Sequence, residues 1–396
     1  MREMIEILDK TKCCGCTACQ AVCEANCISM FPDCEGFLYP QVESEKCTHC
    51  EKCVHACPVL RPKTEIPSLQ KGYVLNHKDD LIRSESTSGG AFTPIASYVI
   101  ERGGVVFGAV FDPEFNVIHR YHDTIENLKA FRGSKYVQSD MNNCYKEAKT
   151  FLENGRWVCF SGTPCQIEGL LHYLGKDYDN LITVDLVCRS VPSPLVWKRY
   201  LTYIKARLGV DKITSIAFRS KNKYGYQYPN LHISTPTRDY YCGIETDPYM
   251  RSFFENIAVR PICYTCPFRK KFRKSDFTIW DCFFPEQADP ALNDNKGSTC
   301  MIIHSSKGIN LFAEIIDNFR YAEVDPENLH IREMFSDIPI NAKRDKFFED
   351  IKVMDEKEHF DKYFRQTLKV RLSRLTKIVL ARTNLYKAVK QYVKKN

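Results

Sequence analysis

Most signatures of a nucleotide-binding or hydrolytic enzyme are missing from this chain. No G-x-G-x-x-G, Walker A, G-x-S-x-G or H-E-x-x-H occurs. A dinucleotide fingerprint, a phosphate-binding P-loop, a hydrolase nucleophile elbow and a zincin helix therefore all lack their usual sequence support. Long apolar runs are missing too. The longest, such as residues 105–111, falls far short of a membrane span. Residues 1–10 carry charges throughout and hold no apolar segment of the signal-peptide kind. These absences predict a cytoplasmic protein, and its reducing compartment argues against disulfides. Acidic residues vanish after Asp361: eleven Lys/Arg follow and no Asp/Glu. The total charge is +7, so the residues before the tail are net −4. The basic pI belongs to the tail and gives no ground for nucleic-acid binding by the whole protein.

What the chain has in plenty is cysteine. Twenty cysteines in a reducing compartment point to metal or redox chemistry. A length of 396 residues exceeds a single core, so two or three domains are expected. Two copies of one pattern open the chain. Cys13, Cys16, Cys19 and Cys23 are spaced C-x2-C-x2-C-x3-C; Cys47, Cys50, Cys53 and Cys57 repeat the spacing, closed by Pro58. This is the run of bacterial two-cluster ferredoxins, in which the fourth cysteine serves the other cluster. Cys13, Cys16, Cys19 and Cys57 are expected to hold one 4Fe-4S cluster, and Cys47, Cys50, Cys53 and Cys23 the second. Structural zinc would use two separated C-x2-C pairs, which two equal four-cysteine runs fit poorly. Cys14, Cys27 and Cys34 lie off the pattern and read as small buried or half-buried apolar residues. Residues 28–31 and 37–39 flank Asp33-Cys34-Glu35-Gly36, a glycine-turn hairpin. Pro58, Pro62 and Pro67 then form a stiff connector that ends a ferredoxin-like module over residues 1–60.

The remainder predicts an α/β body. Ser86-Thr87-Ser88-Gly89-Gly90 precedes a helix over residues 91–102, with Pro94 in its first turn. That turn is either a plain N-cap or a phosphate cradle of backbone N–H groups. Strands are expected at 105–111, 117–121, 157–160 and 181–187, and helices at 142–153, 165–174 and 194–208. Helices alternating with strands imply a partly parallel sheet with right-handed crossovers. Cys165 starts a helix after one strand and Cys188 ends the next, so both should face the crevice at the carboxyl edge. Cys263 and Cys266 add a C-x2-C pair. These four thiols suit a third cluster, a zinc site or separate structural cysteines. The ten histidines show no ligand spacing, and His172 reads as a packed residue.

Five ordered motifs give a resemblance. Ser86–Phe92, Arg132–Ser139, Phe160–Ile167, Asp185–Cys188 with Val191–Ser193, and Arg260–Cys266 followed by Ser275-Asp276 resemble the coenzyme F420 hydrogenase/dehydrogenase beta-subunit family over residues 72–342. The resemblance implies beta-subunit domains at residues 72–155 and 156–342, with FAD in the first. It also implies a 4Fe-4S cluster on Cys165, Cys188, Cys263 and Cys266, and hydride exchange at the flavin with a small-molecule donor or acceptor. It makes Ser88, Gly89, Gly90, Gly133, Ser134 and Lys135 flavin contacts, with Lys135 near a phosphate or the flavin ring and Gly89 needing close backbone approach and positive φ. Relatives use deazaflavin, ferredoxin or other redox partner proteins, and some reduce chlorophyll-type substrates. The chain departs from the family at Arg189-Ser190, where His-Gly is usual, and at Asp281-Cys282-Phe283-Phe284. No catalytic residue is assigned.

Two basic elements remain. Arg269–Lys274 is either a solvated loop or a dock for an anionic substrate or acidic carrier. Residues 343–396 read as a basic helical tail, with Leu368, Leu372, Leu375, Val379 and Leu380 at helical spacings. It would lie on an anionic membrane at the inner face, or pack on the body with a basic outer face.

Overall fold

The computed structural model describes residues 4–62, 69–383, 385, 386 and 389. Its parallel core forms where buried strands alternate with well-capped helices. Val105–Phe111, Val158–Gly162, Leu181–Leu186 and Phe277–Cys282 lie side by side, each pair parallel. The helix Pro164–Leu174 starts in a reciprocal capping box between Thr163 and Gln166, has proline at its first position and stops at left-handed Gly175. The helix Pro194–Leu208 starts at Ser193, whose hydroxyl accepts from the Val196 N–H, and stops at left-handed Gly209. The expected helix at 91–102 runs Phe92–Glu101, with Pro94 inside the first turn.

Antiparallel strands complete an eight-stranded sheet. Its order is Phe319–Val324, Lys71–His77, Ser298–Ile303, Phe277–Cys282, Leu181–Leu186, Val158–Gly162, Val105–Phe111, Val117–His122. The body is thus the expected α/β class with a partly parallel sheet. Strands from both sides of residue 155 share it. A three-stranded antiparallel sheet, Ser215–Ser220, Asn230–Ser234 and Asp239–Gly243, stands apart. It packs through Phe218 onto Trp197 and Tyr249.

The N-terminal module pairs Ile28–Pro32 with Leu38–Val42 as the expected hairpin. Asp33 closes the turn by accepting from the Glu35 and Phe37 N–H groups, and Gly36 takes φ +83°. The connector residues 63–67 lie outside the described residues. The module does not hang free. Buried Arg344 forks onto Glu35, and the Ser193 hydroxyl donates to the Glu35 carbonyl. Two short helices, Arg344–Asp350 and Glu356–Phe364, bury Phe347, Phe348, Phe360 and Phe364 against the body. Only then does the basic helix Leu368–Arg382 begin, and none of its residues is buried.

Candidate functional site

Most of the N-terminal pattern thiols lie near one another, though exposed Cys50 meets none of them among the described residues. Burial first, then the charges of Cys13 and Cys57, push the Cys19 thiol up. Cys57 is raised by burial and feels Cys13 and Cys53. A hydrogen bond with Cys14 pulls Cys16 down, but burial and the charges of Cys19 and Cys57 outweigh it. Cys13, Cys16, Cys19 and Cys57 therefore share one buried locus. In the second set, burial, a 3.4 Å contact with Cys23, and Cys47 push Cys27 up to about 12. Cys53 is raised by burial and feels Cys47. Cys50 is exposed, and the Lys52 N–H and Thr48 lower it. The off-pattern Cys27 is thus packed among the second set, while Cys34 is exposed.

The four body thiols converge as well. Burial and then Cys263, Cys165 and Cys266 push the Cys188 thiol far up. Cys263 is pushed up to about 12 by burial and Cys266, and Cys266 to about 11 by burial and Cys165. Cys165 starts its helix beside Thr163, whose hydroxyl lies 3.2 Å from the thiol. Its largest perturbation is a hydrogen bond with Cys14. Cys14 also bonds Cys16. A chain of thiols, Cys16–Cys14–Cys165, therefore joins the module's first locus to the body's. Gly169, one turn along from Cys165, makes room: a Cβ there would stand 2.9 Å from the Cys16 Sγ. Fully buried Arg260 ties the same junction, donating to the Cys13 carbonyl at 2.7 Å, the Leu38 carbonyl at 2.8 Å and Gln138 at 3.0 Å.

Thiols so placed raise one another and stay protonated unless a metal supplies the counter-charge for their thiolates. Among the described residues, no three Cys, His, Asp or Glu side chains close in tightly enough for a single metal ion. A zinc site needs four ligands about 2.3 Å from one centre.

Beside the body thiols lies a cavity of about 1070 Å³, and Cys188 is in its wall. Its volume is at the upper end of ordinary ligand clefts, which run to about 1,000 Å³. It opens at the carboxyl ends of the parallel strands, the place such sheets reserve for ligands. Ser88, Gly90, Gly133, Ser134 and Lys135 all line it. Two loops distant in sequence meet here: Ser134 N–H donates to the Thr87 hydroxyl at 2.7 Å, and the two hydroxyls lie 3.0 Å apart. Gly90 and Gly133 take φ +84° and +80°, which only glycine holds without strain. Lys135 donates to the carbonyls of Arg132 and Gly133 and lies 5.8 Å from the centre of the Phe111 ring, and burial lowers its pKa to about 8. A half-buried ammonium with no carboxylate partner among the described residues suits an anion in the cavity.

Gly89 differs from expectation. Its N–H donates to the Thr299 hydroxyl at 2.8 Å, so it is not offered to a ligand. Its φ is not positive; a Cβ there would instead strike the Leu75 carbonyl at 2.4 Å. The Arg269–Lys274 loop is solvated only in part, with Lys274 exposed. Arg269 turns inward to the Arg189 and Cys263 carbonyls, and Arg273 pairs with buried Asp185 at 3.2 Å. These cations fasten the Cys188 and Cys263 loops.

The two departures from the family pattern both reach the cavity. Arg189 Nε and Ser190 Oγ are buried there with no hydrogen-bond partner. Asp281 is held by Arg219 at 3.0 Å and by the Tyr226 hydroxyl at 2.9 Å. His119, held by Ser139 and the Ser161 carbonyl, is kept neutral by burial, which lowers its pKa to about 4. Arg219, Tyr226 and His119 carried no motif. Cys14 had one signal, its adjacency to a ligand-pattern cysteine.

Comparison with known proteins bears on both halves. Residues 12–60 match the 4Fe-4S dicluster domain, and residues 155–328 match the C terminus of the coenzyme F420 hydrogenase/dehydrogenase beta subunit. No curated protein matches significantly. A solved structure, the xenon-derivatised F420-reducing NiFe hydrogenase complex from Methanosarcina barkeri, has a similar chain at 16% identity and TM-score 0.44, covering 76% of this chain and 92% of that one. Residues 155–328 are thus similar to the C terminus of the coenzyme F420 hydrogenase/dehydrogenase beta subunit, behind a segment at residues 12–60 that is similar to 4Fe-4S dicluster domains.

Proposed function

We propose that the chain is an iron–sulfur flavoprotein oxidoreductase that couples a two-electron organic reaction in the large cavity to one-electron carriers at its N-terminal module. The observation that carries this reading is that Cys188 belongs both to the body thiol set and to the wall of the cavity lined by Gly90, Gly133 and Lys135. Bound FAD would supply the exchange of an electron pair with substrate and of single electrons with clusters. The chain's part is placement. Gly90 and Gly133 bring backbone close to the ligand, and Lys135 supplies positive charge for a phosphate or the flavin ring. Cys165, Cys188, Cys263 and Cys266 would hold a 4Fe-4S cluster against that pocket. The first two loci of the module would hold the other two, with exposed Cys50 marking the rim that a redox partner protein reaches. Arg189, Ser190 and the Arg219–Asp281–Tyr226 group shape the substrate side, in place of the deazaflavin-type site of relatives.

The test is flavin content. Protein purified anaerobically after growth with ample flavin, and then titrated with FAD, is expected to hold one FAD per chain. Protein that neither contains nor binds FAD would contradict the reading. The chain would then be an electron-transfer subunit that feeds a separate catalytic partner.

A further inference from the structure

We infer that the helix Leu368–Arg382 is a docking surface for an anionic lipid bilayer. The helix half-buries one side against the body and leaves a second, apolar side uncovered. At 3.6 residues per turn, Leu368, Leu372, Leu375 and Val379 fall on one stripe. That stripe points away from the protein, with side chains 76%, 63%, 59% and 59% exposed. The side against the body is mixed: Val370, Ile378, Leu380 and Ala381 are half-buried there beside Arg374, which donates to the Tyr241 carbonyl at 2.8 Å, and Lys377, which pairs with Glu245 at 3.4 Å. A soluble surface helix would have buried its leucines and left these cations in water.

The cations that remain are placed to match a charged surface. Lys369, Arg371 and Arg382 are exposed on the flanks of the stripe, and none meets an acidic group among the described residues. No acidic residue occurs anywhere from Lys362 onward. An apolar stripe flanked by long basic side chains is the pattern of a helix lying in the plane of a membrane interface, its leucines among the acyl chains and its cations among anionic headgroups. Three further facts narrow the mode. No described helix is long and apolar enough to cross a membrane, so the contact is peripheral. The helix is fixed to the body at Tyr241 and Glu245, which leaves the stripe presented without refolding. A protein partner is the less economical occupant, because nothing along the flanks breaks the single sign of charge. The proposal is independent of the cofactors, and its test does not use turnover.

The experiment is co-sedimentation of the full-length, cluster-loaded protein with phosphatidylcholine vesicles, with and without about one-third phosphatidylglycerol. The expected result is binding to the anionic vesicles only, weakened by salt through screening. Leu372→Glu with Leu375→Glu should reduce it at least tenfold, and Arg371→Glu with Arg382→Glu should reduce it at least about 25-fold, from about fivefold per basic residue lost. Because all four side chains are exposed, circular dichroism and iron content should stay those of wild type. Three results would each overturn the proposal: no binding of wild-type protein, equal binding to neutral and anionic vesicles, or unchanged binding by the Leu372→Glu, Leu375→Glu variant. Light scattering on the same samples decides the competing occupant. A dimer that dissolves in the leucine variant, without vesicle binding by wild type, assigns the stripe to a second copy of the chain instead.

Discussion

At the scale of single residues, Lys135 is the side chain whose chemistry is most exposed to test. Its ammonium is half-buried without a carboxylate, and burial brings its pKa to about 8. The unfolded chain keeps that proton up to about 10.5. The folded state therefore binds fewer protons between these values, so this group's contribution makes the apo-protein more stable as pH rises through that window. Flavin affinity should move the other way, falling as pH passes about 8 and the cation is lost, unless the bound anion itself holds the proton. Lys135→Ala should weaken FAD binding by about 1.5–3 kcal/mol, the value of a hydrogen bond to a charged group, and flatten the pH dependence, with iron unchanged. Isothermal titration from pH 7 to 9.5 on both proteins checks this. Gly133 gives a cleaner probe of backbone strain. A Cβ there meets only the Glu85 carbonyl at 3.9 Å, so Gly133→Ala isolates the positive φ and should cost about 1–2 kcal/mol. Gly89→Ala, by contrast, forces backbone against backbone and should fail to fold normally.

Between elements, the junction between module and body is the feature that the spacing of the cysteines could not reveal. Each four-cysteine run could be read because local loop geometry fixes it. Cys14 could not, because its importance comes from the helix Pro164–Leu174 packing against it, a contact over 150 residues long in sequence. The same holds for Arg260, which lay inside a motif but gave no hint that it reaches Cys13 and Leu38. Loss of those bonds strands two buried carbonyls at about 1–3 kcal/mol each. Arg260→Ala should therefore loosen the module from the body while each keeps its own fold. Limited proteolysis between residues 62 and 69 is expected to accelerate, with the far-ultraviolet spectrum unchanged. A cleavage rate equal to wild type would show that Arg260 is dispensable for docking. Filling the gap from the other side, with Gly169→Val, should have the same effect through steric contact with Cys16.

Three of the four parallel strands and their helices were legible for an ordinary reason, since Thr163, Ser193, Gly175 and Gly209 punctuate them with local capping chemistry, whereas Phe277–Cys282, which follows no such helix, was not. The flanking antiparallel strands Lys71–His77, Ser298–Ile303 and Phe319–Val324 were not, because their pairing is set by burial on the finished sheet. In the same way, the two loops that line the cavity could each be picked out, but their hydrogen bond through Thr87 and Ser134 could not. The basic loop Arg269–Lys274 misled for the opposite reason. Charge runs are usually solvated, and here the carbonyls around Cys188 and Cys263 needed donors that only inward-turned arginines supply.

At the scale of the whole molecule, the parts are arranged in a line. The exposed rim at Cys50 leads to the buried first locus, then through Cys14 to the body thiols, then to the cavity wall at Cys188. Such a path has a purpose only if all three thiol sets carry iron. The most direct measurement is therefore iron per chain, by mass spectrometry on anaerobically purified protein, for wild type and for Cys263→Ala. The expected result is about twelve irons in wild type, from three four-iron clusters, falling to about eight in the variant with the module's EPR signals kept. About eight irons in wild type, unchanged in Cys263→Ala, or one zinc in place of the missing four, would contradict the account.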